Sequence, residues 1–112
     1  MRRLLEGKLT RNYHDTVISR VQTDQAFAQA LFDEALILFI NGEADTAKLI
    51  LRDLVKATLG FELLAEEIHK PANSLDKMLS QSGNPTMNTI SKILAAIKRS
   101  LKVEIQTTIV PA

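Results

Sequence analysis

Glu66 and His69 come nearest, by type and spacing, to a metal or catalytic site. Glu-x-x-His on a helix ligates iron in di-iron bundles, but that site needs a second such motif and two more glutamates on facing helices. His14, the only other histidine, has no glutamate three residues before it. Asp33 and Glu34 are adjacent, so on a helix they point about 100° apart and cannot act together on one substrate. The chain also lacks cysteine, HExxH and a phosphate-binding glycine loop. We therefore expect no catalysis, metal site or cofactor.

A second group of polar residues has the chemistry of base and phosphate recognition. Asn73 can form two hydrogen bonds with adenine, and Lys77 can reach guanine or a phosphate. Asp76, beside them, would repel phosphates but could accept a hydrogen bond from cytosine. Main-chain N–H groups at a helix start near Thr86 could bind a phosphate. The candidate DNA-binding residues are Lys70, Ala72, Asn73, Ser74, Lys77, Thr86 and Asn88.

Two short amphipathic segments, LAEEI (64–68) and NSLDKML (73–79), must position these side chains. Pro71 separates them, because proline disfavours helical geometry at the preceding residue and starts a helix better than it continues one. A short helix, a tight turn and a second short helix form the DNA-binding helix-turn-helix, in which the first helix supports the second in the major groove. The expected contacts between the two helices are Leu64, Ala65, Ile68, Leu75, Met78 and Leu79.

Apolar periodicity predicts six helices in an all-α bundle. Thr23 or Asp24 can cap the start of the second helix and Thr86 that of the sixth, while Asn41-Gly42 and Gly60 can end the second and third. In the third helix we expect Lys48, Arg52, Asp53 and Lys56 to lie outside. The predicted helices span residues 10–21, 24–40, 43–59, 61–68, 71 or 72–79, and 87–99.

The C-terminal residues have a different period. Val103, Ile105, Thr107 and Ile109 alternate with polar residues, which is a strand pattern. A single strand cannot satisfy its own main-chain groups, so it either pairs with another chain or frays. We expect a short C-terminal β-strand that could pair across the two-fold axis of a homodimer.

Charge is unevenly distributed along the 112 residues, although the formal net charge is only +1. Residues 24–67 hold nine acidic and three basic side chains, whereas residues 68–102 hold six basic and one acidic. Such asymmetry suggests two surfaces for partners of opposite sign, or simply two solvated faces. The N-terminus is basic without the apolar run of a signal peptide, and no apolar run approaches the ~20 residues that span a bilayer. We expect a cytoplasmic protein without a membrane partner.

Residues 43–102 resemble the Cro/phage-repressor (Xre-type) helix-turn-helix domain. LAEEI, SLDKML, SGNPTM and ISKILAAI match that pattern in order and spacing. The longer stretch 31–67 is similar to addiction-module antidote proteins, the antitoxins of the host-inhibition-of-growth class, and this likeness covers roughly residues 9–105. Two positions depart from the domain pattern: Gly60-Phe61 stands where a polar residue often braces the DNA backbone, and His69 stands where the turn often has glycine.

The resemblance implies binding rather than chemistry. Such proteins repress the operon that encodes them and neutralise a RelE-like ribonuclease toxin by binding it directly, as one half of a type II toxin-antitoxin system. Operator DNA, the toxin and a second copy of the chain are then the partners. Four residues of the acidic middle are candidates for toxin binding: Asp33, Glu34, Glu43 and Asp45.

The interpretation divides the chain into three parts and leaves two rivals open. Residues 1–42 would be an N-terminal helical extension with a flexible basic start and two helices, residues 43–102 the DNA-binding domain, and residues 103–112 a C-terminal strand or tail. One rival is a phage-like transcriptional repressor without a toxin partner. The other is a helix-turn-helix used only as a protein-interaction module.

Overall fold

The computed structural model describes the main chain from Arg2 to Ala112 and the side chains from Tyr13 onward. This part of the chain is all-α with six helices, as predicted. None of these helices is long and apolar enough to cross a membrane. The flexible basic start predicted for the N-terminus lies outside the residues whose side chains are described. The helices are α1 (Arg2–Thr23), α2 (Gln25–Ile40), α3 (Ala44–Ala57), α4 (Gly60–Ile68), α5 (Ala72–Met78) and α6 (Met87–Leu101).

Several helix ends follow from single residues. Asp24 caps α2, because its side chain accepts a hydrogen bond from the Phe27 N–H at 3.1 Å. After α2 the chain turns at Gly42, whose φ of 84° suits glycine. Thr86 caps α6 in the same way as Asp24, accepting from the Thr89 N–H at 3.1 Å. These caps agree with the sequence predictions.

The limits of three helices differ from the prediction by more than one residue. α1 begins at Arg2 rather than Thr10. α3 ends at Ala57 rather than residue 59, and the chain then turns through Gly60 with φ 79°. α6 continues past Arg99 to Leu101, whose side chain is buried in the core, and ends at Lys102 in the left-handed conformation.

α3 is the centre of the packing. α1 and α2 pack on one side of it, and α4 packs against α3, α5 and α6. Gln25 at the start of α2 donates to the Leu101 carbonyl at 3.0 Å, which ties α2 to the end of α6. One hydrophobic cluster extends from Val17 in α1 to Leu101 in α6. The proposed division at residue 42 is therefore not visible as a gap in this core, and it stays a prediction.

Residues 103–112 form neither helix nor strand within the described chain. A strand that pairs only with a second copy would not register in a single chain. The C-terminal strand thus stays a prediction.

Candidate nucleic-acid interface

α4 and α5 are separated by three residues, at the break that the sequence predicted. α4 ends at His69, which adopts the left-handed conformation with φ 57° and ψ 47°. Non-glycine residues enter this region at some cost, and histidine does so more readily than most. Pro71 then takes an extended conformation (φ −61°, ψ 139°), and α5 starts at the next residue. The Lys70 N–H donates back to the Ala65 carbonyl at 3.2 Å and so closes the end of α4.

Apolar side chains hold these two short helices against each other and against the rest of the protein. Leu64, Leu75 and Leu79 are fully buried, and Ile68 is 7% exposed. Ala65 and Met78 are half-buried at the edge of the same cluster. Helices of nine and seven residues are unstable alone in water, so this packing is what makes them helical. All six predicted inner-face residues are confirmed as parts of the core or its edge.

The opposite side of α5 is polar, and we call it the outer face: Ala72, Asn73, Asp76 and Lys77, with Ser74 at its edge. Asn73 and Lys77 are exposed and, being four residues apart, lie on the same side of the helix. Ala72 and Ser74 are half-buried. The structure therefore presents the two strongest hydrogen-bonding candidates together.

Arg52 of α3 changes the charge of the outer face. Its Nε lies 2.6 Å from Asp76 Oδ1, and about a third of each side chain is exposed. The pair offsets the negative charge that was expected to repel phosphates. Sequence analysis missed the contact because the two residues are 24 positions apart on different helices, so no local spacing reveals it.

The loop after α5 is fixed by a buried lysine. Lys48, only 5% exposed, donates to the carbonyls of Gly83 and, at 3.4 Å, Gln81. Its ammonium also lies 3.1 Å from Asp45 Oδ1. The loop packs so closely on α5 that a side chain at Gly83 would meet the Lys77 and Met78 carbonyls. The prediction that Lys48 lies outside is wrong, since main-chain carbonyls of the loop solvate its charge inside the protein.

The remaining candidate DNA contacts lie before and after this loop. Lys70, in the turn, is half-buried. Thr86 and Asn88, at the start of α6, are exposed, although the Thr86 hydroxyl is already engaged as the helix cap. The basic side chains at the other end of α6 are partly paired: Arg99 with Glu67 at 2.8 Å, and Lys98 with Glu104 at 3.4 Å.

Asp53 was also predicted to lie outside, and this is wrong as well. It is 6% exposed, and its Oδ2 lies 2.5 Å from His14 Nδ1, which joins α1 to α3. Burial raises the pKa of the Asp53 carboxyl, while the hydrogen bond from His14 and the nearby charges of His14, Lys56 and Arg52 oppose that rise. This contact anchors α1, which packs on α2 and α3.

The four acidic candidates for toxin binding are all exposed, but they occupy two places. Glu43 and Asp45 line one shallow depression at the start of α3. Asp33 instead borders a groove between α2 and the C-terminal residues. Glu34 is exposed on α2 beside it. The structure therefore supplies two acidic patches rather than one.

No group of three or more histidine, aspartate or glutamate side chains lies close enough to hold a metal ion among the residues from Tyr13 onward. Glu66 and His69, the nearest to such a site in sequence, are both exposed. Comparisons with protein-family models, with curated proteins and with solved structures give no match for this chain.

Proposed function

We propose that the chain is a DNA-binding antitoxin that represses its own operon through a helix-turn-helix formed by α4 and α5. The observation that carries the proposal is the outer face of α5, where Asn73 and Lys77 are exposed together above an apolar inner face. α4 would lie across the DNA backbone and α5 would enter the major groove. Asn73 and Lys77 would contact base edges, with Ser74 and Ala72 beside them.

The surroundings of α5 support this role. In the Arg52–Asp76 pair, Arg52 offsets the negative charge of Asp76, which would otherwise oppose binding of a polyanion. The hydrogen bonds from Lys48 fix the loop that leads to α6. Thr86 and Asn88 at the start of α6, and Lys70 in the turn, are proposed phosphate contacts. They would set the position on the duplex without selecting a sequence. Two copies would bind half-sites about one DNA turn apart.

The antitoxin half of the proposal depends on the family resemblance and on charge. A basic RelE-like toxin would dock on the two acidic patches, one with Glu43 and Asp45 at the start of α3 and the other with Asp33 and Glu34 on α2. Both activities would operate in the cytoplasm. Co-expression with the product of the neighbouring small open reading frame tests this half. If that product is a toxin that stops growth, rescue of growth by this chain requires the two proteins to bind each other.

The DNA-binding half is tested by fluorescence anisotropy on the duplex upstream of the gene, with a scrambled duplex for comparison, at two salt concentrations. Binding should be selective and should weaken steeply with salt, since phosphate contacts release counterions. Lys77→Glu should abolish selective binding while Lys77→Arg retains most of it. Arg20→Glu makes the same charge change on α1, which does not pack on α5, and should have little effect. Weak, equal binding to both duplexes would leave the protein-interaction alternative.

A further inference from the structure

A cavity of about 290 Å³ lies between α1 and α3, and we call it the α1–α3 cavity. Its volume is at the lower end of the range for small-molecule sites, roughly 300–1,000 Å³. One side of each helix lines it, since residues three or four positions apart on a helix lie on the same side. The ionisable lining residues are His14, Asp15, Arg52, Asp53 and Lys56, and the apolar ones are Ile18 and Leu49.

Asp53 is the buried charged group of this cavity. Only 8% of its side chain is exposed, and its Oδ2 lies 2.5 Å from His14 Nδ1. Among the residues from Tyr13 onward, no hydrogen bond reaches its other oxygen, Oδ1. Burial raises the pKa of this carboxyl although His14, Lys56 and Arg52 oppose the rise. Its charge is therefore only partly compensated, and an ammonium group in the cavity would complete the compensation.

Two cations of α3 also line the cavity. Arg52 and Lys56 are four residues apart and so lie on the same side of the helix. Lys56 is exposed and forms no ion pair with a residue from Tyr13 onward. Arg52 uses its Nε for Asp76, which leaves its terminal NH₂ groups for another acceptor. A carboxylate is the group that two such cations bind through charge-assisted hydrogen bonds.

The remaining lining residues complete the description of a ligand. Ile18 of α1 and Leu49 of α3 are half-buried and offer apolar surface to a short hydrocarbon group. The exposed Asp15 adds a second carboxylate that an ammonium group could contact. A fitting ligand thus carries an ammonium group, a carboxylate and a small apolar side chain.

We propose that the α1–α3 cavity binds a free α-amino acid with an apolar side chain. The ammonium group would contact Asp53, the carboxylate would contact Arg52 and Lys56, and the side chain would pack on the apolar lining. A residue inside a peptide chain has neither free charge, so the cavity selects a free amino acid over a segment of a partner protein. This site does not depend on the proposed DNA binding.

Arg52 gives the site a consequence for the outer face of α5, and this consequence rests on the proposed function. The same guanidinium pairs with Asp76 at 2.6 Å. A ligand carboxylate would compete with Asp76 for Arg52 and leave the Asp76 charge less neutralised. The bound amino acid should therefore weaken operator binding.

Nuclear magnetic resonance of the full chain tests the site without DNA, with leucine as the probe. Leucine should shift the amide signals of residues 14–18 and 49–56. Two analogues each lack one charge of leucine: isoamylamine has no carboxylate and 4-methylpentanoate has no ammonium group. Each should bind at least about tenfold more weakly than leucine, because one set of charge-assisted hydrogen bonds is lost.

Variants assign the two charged groups of the ligand to their partners. Lys56→Met should weaken leucine binding about tenfold and leave isoamylamine unaffected, since only leucine carries a carboxylate. Lys92→Met makes the same replacement at an exposed position of α6 outside the cavity and should change neither. Asp53→Asn should weaken leucine and isoamylamine alike. Lys56 is exposed, so its replacement should not unfold the protein.

Three results would each overturn the proposed site. The first is the absence of localised shifts up to the solubility limit of leucine, and the second is isoamylamine or 4-methylpentanoate binding as tightly as leucine. The third is an equal effect of Lys56→Met and Lys92→Met on leucine binding.

Fluorescence anisotropy on the operator duplex tests the consequence separately. Saturating leucine should weaken binding by the natural chain but not by Asp76→Asn, which has no carboxylate to release. Unchanged binding by the natural chain would show that the cavity does not act on the outer face. A natural chain that binds no duplex selectively would count against the proposed function alone, because the leucine site is measured without DNA.

Discussion

α5 and α2 expose opposite kinds of surface to solvent, polar on α5 and partly apolar on α2. The seven-residue α5 buries Leu75 fully and Met78 partly, and it exposes a polar outer face. The sixteen-residue α2 buries Ala28, Phe32 and Ala35 but leaves Ile37 and Ile40 exposed. A polar face is stable in water without a partner, so it can bind and release a polyanion as salt conditions change. An exposed apolar face favours a partner that remains bound.

The two helices also differ in what holds them in place. α2 packs broadly along α3 and has an N-terminal cap. α5 packs chiefly on α4 and has no side-chain cap, so its position depends on Leu75, on the Arg52–Asp76 pair and on the loop held by Lys48. The orientation of the outer face of α5 is thus set by a few identifiable contacts, which single substitutions can remove.

The largest expected effect comes from the packing under α5. Leu75→Ala should lower the free energy of unfolding by about 3 kcal/mol, since Leu75 is fully buried and its removal leaves a cavity. Urea denaturation followed by circular dichroism measures the change. Leu63→Ala is the matched control, because Leu63 is 54% exposed and the same atoms are removed. Similar losses in both variants would contradict the buried role of Leu75.

Removing the hydrogen bonds from Lys48 to the loop after α5 should have the next largest effect. Lys48→Met keeps the length of the side chain but leaves the Gln81 and Gly83 carbonyls without their donor, at a cost of about 2 kcal/mol. Hydrogen exchange should quicken in residues 80–86, and denaturation should show the lost stability. Lys56→Met, at an exposed position of the same helix, should change neither. Unaltered hydrogen exchange in Lys48→Met would show that the loop keeps its conformation without Lys48.

Local sequence patterns predict the parts of this molecule that depend on neighbours along the chain. The break at His69–Pro71 and the cap at Thr86 follow from residue types within a few positions, as does the inner apolar face of α5. Lys48 and Asp53 could not be placed in this way. Their partners lie 33 to 39 residues away on other elements, and on a helical wheel both residues fall on the side expected to face water.

The contact between His14 of α1 and Asp53 of α3 offers a test away from α5. His14→Ala should cost about 1–3 kcal/mol, because it removes the hydrogen bond to the buried Asp53 carboxyl. Unlike Lys48→Met, it should leave hydrogen exchange in the loop 80–86 unchanged, since α1 packs on α2 and α3. Exchange that quickens equally in both variants would show that the two anchors are not independent.

The pH dependence of the same pair has a definite sign. Burial raises the pKa of Asp53 in the folded protein above its ordinary value of 3.8, so folding favours the protonated acid. That contribution to stability is complete below 3.8 and is lost as the pH rises through the folded pKa. Asp53→Asn does not titrate, so its stability relative to the natural chain should increase as the pH rises above 3.8. Denaturation at a series of pH values measures the free energy of unfolding of both proteins. The value for Asp53→Asn minus the value for the natural chain should not fall as the pH rises.

The smallest effect on stability, and the sharpest test of the outer face, comes from Arg52 and Asp76. Their pair is partly exposed, so Arg52→Ala should cost at most about 1 kcal/mol of folding free energy. It should nevertheless weaken operator binding about tenfold, since an unpaired carboxylate would then face the phosphates. Asp76→Asn should bind at least as well as the natural chain, and adding it to Arg52→Ala should restore most of the affinity.

If the double variant stays as weak as Arg52→Ala, Arg52 contacts DNA itself and the neutralising role is wrong. If Arg52→Ala binds normally, Asp76 does not lie close to the phosphates, and the Arg52–Asp76 pair has no part in operator binding.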